Sequence, residues 1–264
     1  MMKTPVFLAL ALAILINPAG AEPSFGRQES PSGIRHSFLI AGTPTVLVGE
    51  DGTVKWRTEG RARDAFVLKN GHVLASIANT AKEITRDGKV VWSYQLAPEN
   101  KELGTAVRLE NGNTLVVERG FKPRLLEVKK DGQIAVEVPL LPETNNAHMQ
   151  TRMARKLANG NYLVPHLLAF KVKEYQPDGT VVRTIKTDLK ELGGREAKNW
   201  PFTAIRLENG NTLVNLTNGN KTVDANSLVL ATRLAFFSNC LSRASKTRST
   251  TKKGTISARI ARTN

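Results

Sequence analysis

The chain has 264 residues, 41% hydrophobic and 23% charged, an ordinary globular composition with room for one large domain or two smaller ones. Its net charge of +15 is uneven: residues 225–264 hold eight Lys or Arg and no acid, so the high pI belongs largely to the tail and specific nucleic-acid binding is not expected. A single cysteine, Cys240, excludes an internal disulfide and a cysteine-based zinc site.

The first 21 residues read as a secretory signal. Lys3 supplies a positive start, Val6 to Ile16 an apolar core too short to span a bilayer comfortably, and Ala19-Gly20-Ala21 a small-residue cleavage site. The mature chain is expected to begin at Glu22, periplasmic or secreted, with no membrane span after cleavage. Residues 22–35 read as a linker.

From residue 36 the chain repeats itself. Arg108-Leu-Glu-Asn-Gly-Asn-Thr-Leu-Val116 returns almost letter for letter from Arg206 to Val214, and looser copies run from Val67 to Leu74 and from Lys156 to Val164. Asn-Gly pairs start at Asn70, Asn111, Asn159 and Asn209. Asp-Gly pairs alternate with them at Asp51, Asp87, Asp131 and Asp178. Both dipeptides suit tight hairpin turns, read here as two-residue type I′ turns with positive φ at both central positions. The flanks are rich in Val, Leu, Ile and Thr, as strands are. Each unit therefore reads as four antiparallel strands, and the fold as an all-β propeller of four-stranded blades over 36–224. Trp56 and Trp92 follow their Asp-Gly pairs at matching positions, which assigns them to repeat packing.

The stretch from Asn-Gly to the next Asp-Gly is nearly constant in length, whereas the return stretch grows along the chain. In a four-stranded meander the tight turns share one face and the other connections share the opposite one. The variable connections, near 57–64, 97–104, 141–150 and 188–202, therefore mark the expected binding face. The segment His36–Val48 has strands but no Asn-Gly turn and is a candidate clasp for the last blade.

The Asn-Gly-Asn-Thr-Leu-Val and Asp-Gly-x-Val-Val-Trp pattern resembles bacterial PQQ-like (quinoprotein-type) β-propeller repeats and is similar to arylsulfotransferase-type propellers. The first resemblance implies PQQ with calcium as the one cofactor to consider, although the adjacent-cysteine pair of quinoprotein dehydrogenases is missing; the residues themselves indicate no cofactor and no metal. The second implies a histidine nucleophile with arginine and histidine helpers, and His148, Arg152 and His166 are the matching types.

The next Asp-Gly is due near 226–229 and is absent. Acids vanish and Ser, Thr, Lys and Arg accumulate, so the last blade is expected to be incomplete and 225–264 to be a basic non-repeat tail, packed poorly or disordered. Loss of the native reading frame near 221–226 explains a composition change in mid-blade; a natural low-complexity tail is the alternative. Leu228–Leu241 reads as an apolar helix.

The candidate ligand-binding residues lie in the variable-face loops. Arg119 and Lys122 bracket Phe121 and are read as holding an anion and stacking a ring, against the plainer reading of a solvated loop. Asn199 and Trp200 close the longest connection, with Trp200 either flooring a pocket or plugging blade against blade. His148, in the polar run Asn145–Gln150, is a base, nucleophile or solvent-facing histidine, and His166 a helper or a packed one. The function expected is an exported scaffold that binds a ligand or an extracytoplasmic protein. The alternatives are a sulfuryl-transfer or quinone-linked enzyme centred on His148, or a truncated product without function.

Overall fold

The computed structural model describes residues 32–217, 221–224 and 227–232. They form five antiparallel sheets in chain order. The first holds β1 (Phe38–Ile40), β2 (Thr45–Val48) and β3 (Val54–Thr58). The second holds β4 (Ala62–Val67), β5 (Val73–Ile77), β6 (Thr80–Ile84) and β7 (Val90–Gln95). The third holds β8 (Asn100–Arg108), β9 (Thr114–Gly120), β10 (Arg124–Val128) and β11 (Ile134–Pro139). The fourth holds β12 (Arg155–Lys156), β13 (Tyr162–His166), β14 (Lys171–Tyr175) and β15 (Val181–Lys186). The fifth holds β16 (Pro201–Arg206), β17 (Thr212–Leu216), β18 (Lys221–Asp224) and β19 (Ser227–Thr232). Each sheet is a simple meander, and successive sheets stack as the blades of a β-propeller.

Burial explains the stacking. The second strands of the three middle sheets, β5, β9 and β13, are buried throughout or nearly so, while the last strands β7, β11 and β15 bury few residues, such as Trp92 and Val138. Four hydrophobic cores lie between neighbouring sheets. Trp56 packs with Val73 and Ala75 between the first two, and Trp92 with Leu103 and Val116 between the second and third. Tyr162 and Leu125 meet between the third and fourth sheets, and Leu163 and Val214 between the fourth and fifth. No sheet covers its own apolar faces, so each blade depends on its neighbours, as repeat architectures do.

The hairpin turns differ in detail from the sequence expectation. In the Asn111-Gly112 turn, Gly112 N–H donates to Leu109 O at 3.0 Å and Leu109 N–H to Asn113 O at 2.8 Å. Only the glycine has positive φ, +85° at Gly112. These are three-residue loops, a type I turn closed by a left-handed glycine, not two-residue type I′ turns. The Asn and Asp residues serve another purpose. Their side-chain oxygens accept the N–H two residues on, as from Asn113 to Asn111 and from Gln133 to Asp131.

The same motif joins blade to blade. Asn111 and Asn113 donate to Glu127 on β10, and Asn159 and Asn161 to Glu174 on β14. Each carboxylate is also reached by a cation at the end of the next blade's first strand. Arg108 meets Glu83 at 2.7 Å, Lys156 meets Glu127, and Arg206 meets Glu174 at 2.7 Å. The repeated Arg/Lys-x-x-Asn-Gly pattern is thus one clasp, written three times. At the first interface the register puts Leu47 opposite Trp56 where Glu83 stands opposite Trp92, and Val67 stands where Arg108 does. That interface is apolar at both positions.

Two expectations about the ends are corrected. The last sheet has four strands: β19 pairs with β18, with Thr222 opposite Ala231 and Val223 opposite Leu230. Residues 227–232 are therefore strand, not the start of an apolar helix. Unbroken apolar runs carry no period that separates the two, and pairing with β18 decides. The segment 36–48 does not clasp the last blade. β1 pairs with β2, and among the described residues no strand of the first sheet pairs with the fifth. Its Asp-Gly turn joins β2 to β3, so the first sheet occupies the second to fourth places of a blade. The segment 1–21 expected to be a signal, the expected linker up to residue 31 and the tail beyond Thr232 lie outside the described residues. No helix among the described residues is long and apolar enough to cross a membrane.

Candidate functional site

The first strands of the blades lie innermost, and their starts lie on the variable-loop face. There β4, β8, the end of β9 and the turn 147–149 bring four charged or titratable side chains together. Glu102 is the hub. Its Oε2 accepts from Arg119 Nη2 at 2.7 Å and from Arg63 Nη2 at 3.2 Å, and His148 Nδ1 stands 3.3 Å away. Glu102 and Arg119 are direct cross-strand partners on β8 and β9.

Arg119 is fully buried, against the expectation of a loop position beside Phe121. Its Nη1 donates to His148 O at 3.1 Å and Thr151 O at 3.2 Å, and Nη2 also donates to Leu103 O. Burial pulls its pKa down to about 10, opposed by Glu102 and assisted by Arg63. It stays charged near neutrality. Gly104 makes room for it, since a Cβ there would stand 3.3 Å from Arg119 Nε. The β8–β9 register shifts at the same place, between Leu103 and Thr105, a bulge that re-aims the strand beside the site.

Arg152 lies beside this cluster. Its Nη1 donates to Thr151 O at 3.3 Å, the carbonyl that Arg119 also uses, and its guanidinium lies 5.7 Å from the Phe202 ring centre. It is 8% exposed, and among the described residues no carboxylate pairs with it. His148 and Arg152, two of the residues proposed from sequence, therefore belong to one cluster with Arg119. Glu102 and Arg63 were missed: bulges set their alignment, two in β8 around Glu102 and one in β4 at Arg63, and no spacing records a bulge.

The other candidates separate from it. His166 is sealed in the fourth sheet. Its Nε2 stands 2.9 Å from the Tyr175 hydroxyl, and burial pulls its pKa down to about 3, helped by Lys173. Asn199 is buried and donates to Leu192 O at 2.7 Å, tying the long connection to itself. Trp200 is half-buried and its carbonyl accepts from Thr217. Lys122 is exposed, and its backbone is held by Asn100 on both sides of the peptide. Phe121 is 78% exposed, and Lys101, not Lys122, lies over its ring at 4.6 Å.

Phe121 rims an open cleft of ≈ 730 Å³ with Pro123, Leu141 and Pro142. Gln150 forms its inner wall, exchanging hydrogen bonds of 2.9 Å with both backbone groups of Gly120. Gly120 follows Arg119, so the cleft and the charged cluster adjoin across a single strand end. A second cleft of ≈ 780 Å³, near Phe66, Arg108 and Asn111, lies on the tight-turn face. Among the described residues no three metal-ligating side chains gather. The charged cluster sets three guanidinium groups against one carboxylate, a donor set unsuited to the calcium that accompanies PQQ.

The chain resembles solved propellers. A protein of unknown function from Bacteroides caccae is 25% identical with a TM-score of 0.63, over 75% of this chain and 72% of that one. Virginiamycin B lyase from Staphylococcus aureus is 15% identical with a TM-score of 0.52, over 69% of this chain. A streptogramin B lyase is 13% identical with a TM-score of 0.51. The chain spans 59% and 58% of the two lyases' lengths, and at these identities the likeness is one of fold. No curated protein matches the chain. The family model for Mal s 1 allergenic protein-like proteins matches residues 65–229, more than half of the sequence, and the chain belongs to that family.

Proposed function

We propose that this protein is an exported binding scaffold that takes its ligand on the variable-loop face. One observation carries the reading: Arg63, Glu102, Arg119, His148 and Arg152, drawn from three blades, converge there beside the Phe121 cleft. Groups so far apart in sequence come together only through the fold, and a rigid propeller holds them where loops vary. The repeat clasps occupy the opposite face and account for the charged side chains there.

The test is a ligand screen on the mature chain, followed by substitutions on both faces. Phe121→Ala and His148→Ala weaken binding of the ligands found, and Lys130→Ala on the tight-turn face does not. Unchanged binding in both variable-face substitutions refutes the assignment of the face.

A further inference from the structure

The charges of the axial cluster do not balance. Arg63 and Arg119 share one carboxylate, Glu102, and Arg152 does not reach it. A guanidinium removed from water costs free energy unless an anion or a full set of acceptors replaces the water. Arg152 is 8% exposed, and its guanidinium makes one protein hydrogen bond among the described residues, to a carbonyl it shares with another arginine. Arg119 Nε is buried with no acceptor among the described residues. The structure has thus gathered fixed positive charge behind an edge that solvent reaches at Arg63, Glu102 and His148.

Two further features limit what can enter. The Arg152 guanidinium lies over the Phe202 ring, 5.7 Å from its centre, so an aromatic side chain flanks the charge. Glu102 places a carboxylate within the cluster, and like charge disfavours a dianion more than a monoanion.

We propose that the solvent-facing edge of this cluster is a binding site for a small monoanionic carboxylate carrying a planar apolar body, held by Arg152 and flanked by Phe202. This rests on the assignment of the variable-loop face and names the chemical class taken there. A carboxylate matches the fork of a guanidinium better than any neutral group, and it supplies the counter-charge that Arg152 lacks.

Benzoate tests this, with benzamide as its neutral isostere, by calorimetric titration of the mature chain. Benzoate is expected to bind saturably, more weakly as salt is raised, and at least tenfold more tightly than benzamide. Arg152→Gln loses at least tenfold in benzoate affinity while its circular dichroism matches the parent. Arg152→Lys, which keeps the charge, retains more affinity than Arg152→Gln, and Arg108→Gln on the far face binds as the parent does. Equal binding of benzamide and benzoate, no benzoate binding, or unchanged affinity in a folded Arg152→Gln overturns the proposal. Should screened ligands still depend on Phe121 and His148 in that event, the face stands and only the carboxylate assignment falls.

Discussion

Arg155 and Asp64 lie two blades apart and 91 residues apart in sequence, yet Arg155 Nη1 stands 3.2 Å from Asp64 Oδ2. Both belong to innermost strands, so the pair ties β12 to β4 across the axis. Asp64 is 3% exposed, and burial raises its pKa, opposed by Arg155. Removing the arginine strands a carboxylate in the interior. Arg155→Gln is expected to lower stability by about 3–5 kcal/mol, the cost of breaking one side of a buried pair. The double variant Arg155→Gln/Asp64→Asn recovers part of that loss. Urea unfolding of the three proteins checks both statements.

The blade clasp predicts coupling. Arg206→Val and Glu174→Leu place at this interface the residue types that Val67 and Leu47 hold at the equivalent positions of the first. Each single substitution leaves a charge without its partner, and Glu174→Leu also strands the amides of Asn159 and Asn161. A double-mutant cycle in urea is expected to give a coupling of about 1–2 kcal/mol. Additive losses would show that the pair contributes nothing.

Gly112 predicts a purely torsional cost. Its φ is +85°, and a Cβ built there meets nothing within 4 Å. Gly112→Ala is therefore expected to destabilise by roughly 1 kcal/mol from backbone strain alone. A larger loss in thermal unfolding would point to a contact rather than a torsion.

His166 predicts a dependence on pH. Its ring is held neutral, with a pKa near 3 in the fold against an ordinary 6.5 in the unfolded chain. Below pH 6.5 the unfolded chain binds the proton and the fold does not, so stability falls as pH drops from about 6.5 toward 3. In His166→Gln that part of the slope disappears, measured as urea midpoints at pH 7 and pH 5 against the parent.

Export predicts a defined start. N-terminal sequencing of the protein recovered outside the cytoplasm is expected to begin at Glu22. A chain beginning at Met1, or one retained in the cytosol, contradicts it.

The repeats made the blades legible, because Asn-Gly and Asp-Gly mark eight hairpin turns in alternation, and Trp56 and Trp92 stand where repeat packing puts them. The site was only half legible. Arg119 and Phe121 are two residues apart and read as partners, but the strand ends at Gly120 and its bulged partner sends Arg119 inward while Phe121 faces solvent. Glu102 carries the cluster and looks like any charged loop residue in sequence, because its role depends on register. β19 was missed because its turn has no glycine signal, and pairing alone distinguishes it from a helix.

The clasp makes the order of the blades partly a matter of grammar. Behind Glu83 or Glu127 the chain accepts a blade whose first strand ends in a cation, as the third, fourth and fifth do. The second blade, with Val67 in that place, fits behind Leu47 and would leave a carboxylate unanswered anywhere else. Duplicating or exchanging the third and fourth blades therefore respects every junction it creates, whereas moving the second breaks one. A lineage that gained blades by copying is free to do so on one side of Leu47 and constrained on the other.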